Sequence, residues 1–189
     1  MKGREFNEIR DCLLGWDITD FGYDDFSKIG MSLVTLRNGM LGDSRYPKTY
    51  AEKLIMMHDG QKAPMHYHWT KREDIINRGG GMLLITVCNG HPDRSKDDRD
   101  VPVSMDGRSY SVPSGTAVVV KPGESISIPP YQYHSFSIVP GTGDVLIGEV
   151  SMCNDDASDN CFYIPKERFP SIEEDVKPYR LLCTEYPPA

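Results

Sequence analysis

Histidine, tryptophan and cysteine are scarce in this chain of 189 residues, with five, two and five of them. Cys12, Cys88, Cys153, Cys161 and Cys183 are odd in number and form no C-x-x-C pair, which excludes a disulfide framework and a zinc ribbon. Cys88 and Cys183 lie in apolar stretches and read as small core residues, while Cys153 and Cys161 flank an acidic stretch and are the thiols to check for reactivity. Cations are short as well: 21 Lys and Arg against 28 Asp and Glu leave a formal charge of -7, which argues against nucleic acid or an anionic membrane as partner. No apolar run approaches the ~20 residues of a membrane span. The opening Met-Lys-Gly-Arg-Glu-Phe-Asn-Glu-Ile-Arg also lacks the apolar centre of a leader, so a cytoplasmic protein is expected. Internal repeats and low-complexity tracts are absent, and the length suits one domain over residues 1–189.

What the chain does have is short alternating runs. Residues 3–15 combine Phe6, Ile9, Leu13 and Leu14 with charges between them, the pattern of a short amphipathic helix. From Met31 the period changes: 32–36, 51–57, 81–88, 116–120, 125–128, 134–139 and 144–151 are strand-like and bounded by Gly, Pro, Asn or Asp. Many short strands without intervening helices mean an all-β sandwich or barrel. The division expected is an N-terminal arm at 1–30, a barrel core at 31–155 and a segment at 156–189 whose Tyr, Phe, Leu and Ile bring it back onto the barrel. Residues 91–100 read as a solvated charged loop, and Arg72, Asp74 and Arg78 as a surface or subunit-contact network.

The chemistry concentrates in residues 66–80. His66 and His68 stand at i and i+2, so an extended strand presents both imidazoles to one cavity, and Glu73 follows after a gap long enough for the chain to turn back. A fourth metal ligand is expected at His134, where an alternating run restarts after Pro129-Pro130. His58 before Asp59-Gly60 and His91 after Asn89-Gly90 read as exposed turn residues. Three imidazoles and a carboxylate suit several divalent metals, Mn, Fe, Co, Ni and Zn among them.

Gly60, His66, His68, Glu73 and Gly80, followed by Gly123, Pro129 and His134, resemble the two-part motif of the cupin superfamily, with Tyr131 and Ile138 departing from it at a customary glycine and asparagine. The resemblance implies a cupin-type β-barrel, a jelly roll. The string from Pro64 to Gly81, with Gly148 to Ser151, Asn154 to Asp156, Asp159-Asn160 and the tail from Phe169 to Tyr186, is similar to the D-lyxose isomerases. This similarity implies a cytoplasmic aldose–ketose isomerase that interconverts D-lyxose and D-xylulose, or D-mannose and D-fructose, through an enediol. Mn2+ is the implied metal, with Co2+, Fe2+ or Zn2+ as substitutes. Lys71, between the ligands, is expected to stabilise an enediolate oxygen. For the base, Glu149, Asp155, Asp156 and Glu167 are candidates; ungapped alignment to the isomerases favours Glu167 and makes Glu149 a sugar contact. Asp156 and Trp69 are further expected sugar contacts, although strand alternation turns Trp69 away from the two histidines. A homodimer formed through edge strands or the N-terminal arm is expected. An Fe(II) cupin dioxygenase and a non-catalytic sugar-binding cupin are the competing readings.

Overall fold

The computed structural model describes residues 7–166 and 176–187. It opens with α1, Asn7–Asp11, and continues almost entirely in strands. These are β1 Gly15–Thr19, β2 Met31–Arg37, β3 Tyr50–Met57, β4 His66–His68, β5 Glu73–Gly80, β6 Leu83–Gly90 and β7 Lys96–Asp97. The second half adds β8 Val101–Met105, β9 Arg108–Val112, β10 Thr116–Val120, β11 Ser125–Ile128, β12 Gln132–Ile138, β13 Val145–Met152 and β14 Asn160–Phe162. Among the described residues no helix is long and apolar enough to cross a membrane.

The strands form an eight-stranded sheet, in the order β1-β2-β3-β13-β5-β11-β8-β9, and a second sheet, β10-β6-β12-β4-β14, with β7 paired to β6. The alternating runs decide which face of each is buried. Leu33, Ile55, Ile75, Ile126 and Ile147 from the first sheet meet Leu83, Ile85, Val87, Val118 and Phe136 from the second in one core. Removing each such side chain from water contributes roughly 1.5–3 kcal/mol. Asn77, wholly buried, is the polar exception and is satisfied: its amide donates to Gly81 O and Val120 O at 2.9 Å each and its Oδ1 accepts from Gly79 N. It fixes the β5–β6 connection, where Gly80 has φ +94° and a Cβ would stand 2.0 Å from Asp144 O.

Several expectations need correction. The helix is shorter than 3–15, because Leu13 and Gly15 take positive φ and Gly15–Thr19 alternates as the edge strand β1; residues 1–6 lie outside the described ones. Residues 91–100 are not a free excursion: Lys96–Asp97 pairs with β6, and the hydroxyls of Tyr67 and Tyr133 donate to the carbonyls of His91 and Arg94. Cys153 and Cys161 are buried like the other three thiols, which removes the case for reactivity. Tyr131 adopts φ +61° at the glycine position of the motif, so the turn is kept by a strained residue that packs against Tyr67. Of the C-terminal segment, the described part returns to β1, where Cys183 N donates to Trp16 O at 2.7 Å.

Candidate metal centre and catalytic cleft

β4 is only three residues long, but its alternation does what the sequence pattern requires. His66 and His68 face the interior, and Tyr67 is buried in an aromatic cluster on the other side with Tyr133 and Trp69. β12 pairs antiparallel with β4, setting His134 directly opposite His66. The ligand nitrogens of the three histidines lie within 4.8 Å of one another, the one such group of His, Cys, Asp or Glu among the described residues. Glu73 begins β5 and brings its carboxylate oxygens to 3.2 Å from His68 Nε2 and 3.0 Å from His134 Nε2. His58, exposed, pairs with Asp144, and His91 with Asp97; neither lines this cleft.

Tautomers follow from what the far ring nitrogens touch. His66 Nδ1 donates to Pro64 O at 2.9 Å and His134 Nδ1 to Gln132 O at 3.0 Å. A carbonyl oxygen only accepts, so each proton sits on Nδ1 and each Nε2 keeps a bare lone pair. Burial, reinforced by His134 and His68, holds His66 well below the ordinary imidazole range, and burial with Lys71 lowers His68. Both shifts favour the neutral ring at His66 and His68. His134 Nε2 is wholly buried, makes no hydrogen bond, and still stands 3.0 Å from a Glu73 oxygen. Two lone pairs held that close inside a protein repel unless a cation lies between them. The donor set thus fits a divalent metal, with the His66 and His134 rings already aimed by backbone carbonyls and a carboxylate opposite.

Three further charges adjoin this cradle. Lys71 Nζ lies 3.0 Å from Glu73 Oε2 and 2.8 Å from Glu149 Oε1. Burial opposes the ammonium charge, but Glu149, Glu73 and Asp156 outweigh it and raise the Lys71 pKa. Glu149 comes from β13, which runs unbroken through Gly148 and turns Glu149 inward with Ile147 and Ser151. It sits directly across from Lys53 on β3, whose Nζ is 3.4 Å from the same Oε1. Burial works against ionisation of Glu149, yet Lys53 and Lys71 bring its pKa below the usual carboxylate value. Glu73, desolvated too, is held well below that range by Lys71 and the histidines. The cleft's remaining wall is apolar, with Phe21, Phe136 and Phe162, and Asp156 and Asn160 stand at its polar end.

The residues picked from sequence separate into three groups. His66, His68, Glu73, His134, Lys71, Glu149 and Asp156 converge on the cleft. Trp69 does not: it packs edge-on against Tyr67 at 4.9 Å, on the outer side of β4, and the expected sugar contact is withdrawn. Asp155 is exposed and spends its carboxylate on Ala157 N, Ser158 N and Ser158 Oγ; Glu167 lies outside the described residues.

Two residues were missed. Lys53 had a readable signal, a lysine on the inward face of β3 among Ala51, Ile55 and Met57, where an unpaired charge would be too costly. Asp159 had none: it accepts from Thr70 N, Thr70 Oγ1 and Lys71 N, pinning the turn that aims Lys71 into the cleft.

Comparison with known proteins agrees with this geometry. The sequence profile of the D-lyxose isomerase family matches residues 1–186. A D-lyxose/D-mannose isomerase of Serratia proteamaculans is 49% identical over 181 residues, covering 96% of this chain and 79% of the relative. One from Escherichia coli O157:H7 is 46% identical over 181 residues, covering 96% and 80%. Among solved structures, L-ribose isomerase of Cellulomonas parahominis with L-psicose superposes with TM-score 0.56 at 16% identity, covering 78% of this chain and 79% of that one. L-ribose isomerase of Geodermatophilus obscurus gives 0.55 at 17%, covering 75% and 76%. At such identity these last two speak for the fold, the same cupin-type barrel, and not for the substrate.

Proposed function

This chain belongs to the D-lyxose isomerase family, and from that premise we propose that it converts D-lyxose to D-xylulose and D-mannose to D-fructose, using a divalent cation, Mn2+ foremost. Membership makes the chain an aldose–ketose isomerase. The observation that carries the finer reading is the pairing, in one cleft, of a cation cradle with a carboxylate outside it: Glu149, gripped by two lysines through one and the same oxygen. His66, His68, Glu73 and His134 are the residues that would hold the cation. When bound, it supplies a Lewis acid that polarises the sugar's carbonyl and adjacent hydroxyl without redox change.

The chain's own groups account for the rest. Isomerisation removes the hydrogen on C2 and delivers one to C1, while a proton passes from O2 to O1. Glu149 rests ionised, so its second oxygen, Oε2, is the base that takes the C2 proton and returns it to C1 of the enediol. The Lys71 ammonium is the fixed positive charge for the oxygen that becomes negative on the way. Asp156 and Asn160 receive hydroxyls farther along the sugar, and the phenylalanine wall covers its C–H face and limits water. This reading gives the base to Glu149; Glu167, favoured by the resemblance, lies outside the described residues. Five buried free thiols suit an enzyme of the reducing cytoplasm.

A ketose assay without oxygen tests the reading. Protein stripped with a chelator is expected to be inactive, to recover with Mn2+ and in part with Co2+, and to form ketose from D-lyxose with no oxygen present. Full turnover after exhaustive chelation contradicts the cation's role. Oxygen uptake with no ketose contradicts an isomerase and favours a dioxygenase.

A further inference from the structure

The three histidines of the cradle are not supported alike. His66 and His134 each rest on a backbone carbonyl through Nδ1, whereas Nδ1 of His68 is buried and makes no hydrogen bond. Nε2 of the same ring faces the cradle, 3.2 Å from Glu73 Oε2, and can offer a lone pair to a cation only when the ring's proton sits on Nδ1. A buried N–H at that position needs an acceptor. Asp159 Oδ2 stands 3.9 Å from it, about 1 Å beyond hydrogen-bond length.

The main chain holds this carboxylate beside the ring. Asp159 N donates to Asp155 O at 3.0 Å, Trp69 N donates to Asp159 O at 3.2 Å, and Asn160 pairs with His68 where β14 meets β4. Oδ1 is occupied by Thr70 N and Thr70 Oγ1, at 2.9 Å each. Oδ2 accepts only from Lys71 N among the hydrogen bonds of the described residues, at 3.1 Å, and a carboxylate oxygen can accept a second. With the residue 8% exposed, water has little access to that lone pair. We infer that Asp159, the anchor of the Lys71 turn, is also the positioning residue of His68: its Oδ2 accepts the Nδ1 proton and so turns the Nε2 lone pair to the cation.

The inference rests on the cation reading given above and adds an acceptor for the third ring, of the kind that orients metal-bound histidines. It also separates the carboxylate from an amide of the same shape. In Asp159→Asn, an amide oxygen kept toward Thr70 leaves the NH2 facing Lys71 N and His68 Nδ1. At Lys71 two donors then meet, and at His68 the amide donates, which selects the tautomer protonated on Nε2 and unable to bind a metal. The opposite orientation sets the NH2 against the Thr70 N–H instead.

Titration with Mn2+ alone, read from the EPR signal of the free ion, tests this without turnover. Asp159→Asn is expected to raise the Mn2+ dissociation constant about 10–100-fold. Thr70→Val removes one hydrogen bond from the same turn but leaves Oδ2 untouched, and should stay within about twofold of wild type. Imidazole 15N NMR of the wild type loaded with Zn2+, which does not broaden the signals, gives an answer even if Asp159→Asn misfolds. His68 should show a metal-bound Nε2 and an Nδ1 proton that exchanges with water as slowly as those of His66 and His134. Mn2+ bound as tightly by Asp159→Asn as by wild type overturns the inference and leaves the cation reading standing, whereas a wild type that binds no Mn2+ overturns both. Equal weakening in Asp159→Asn and Thr70→Val makes Asp159 a turn anchor alone and overturns it too, as does a Zn2+-loaded His68 whose Nδ1 proton is missing or in fast exchange.

Discussion

His134→Ala is expected to lose its metal and at least about 10³-fold in kcat/KM, roughly 4 kcal/mol of transition-state stabilisation. The ring it removes is wholly buried and faces Glu73 at 3.0 Å, so no solvent-exposed group can take its place. Without the cation the neutral imidazoles and the carboxylate remain, but nothing is left to polarise the sugar carbonyl. Elemental analysis beside the activity assay checks it, and His58→Ala is the control, since that ring is exposed and bound to Asp144. Retention of full metal content by His134→Ala, or loss of metal from His58→Ala, contradicts the ligand assignment.

Glu149→Gln should behave differently: metal content near that of wild type, turnover lower by about 10²–10⁴-fold. The amide keeps the shape of the carboxylate and can still accept from Lys71, but it cannot take a proton from carbon. Its charge is also one of those that permit two ammonium groups to be buried. Lys71 keeps Glu73 at 3.0 Å, whereas Lys53 is left with Asp156 at 3.7 Å and the Asn154 side chain. A stability loss of about 1–3 kcal/mol is therefore expected alongside the kinetic one. Denaturant unfolding measured in parallel separates the two, because a merely structural residue would lose stability and metal without a selective fall in turnover.

How far the sequence could be read depended on whether a residue's role was local. The strands 116–120 and 125–128 match β10 and β11 to the residue, since alternation and flanking turns are local signals. The convergence of His66, His68 and His134 was equally legible: i, i+2 spacing fixes the relative direction of His66 and His68 wherever β4 lies. Trp69 shows the same rule prevailing over resemblance, because alternation correctly turns it away from the cleft. The tie between Lys53 and Glu149 is a matter of strand order. β3 and β13 are neighbours in the sheet although nearly a hundred residues separate them, and no local pattern states that. Residues 91–100 misled through composition, since their charges hide the backbone carbonyls that Tyr67 and Tyr133 use to tie the loop down.

The central claim, proton transfer by a cleft carboxylate through an enediol, is tested most directly by the fate of the hydrogen on C2. D-Lyxose deuterated at C2 is converted by the metal-loaded enzyme in ordinary water, and the D-xylulose formed is examined by NMR at C1. A base that carries the hydrogen on a carboxylate oxygen exposes it to exchange, so the predicted product has lost part of its deuterium to solvent, and Glu149→Gln makes almost none of it. Ketose that retains all its deuterium at C1 would mean a direct hydride shift between carbons and would contradict the account.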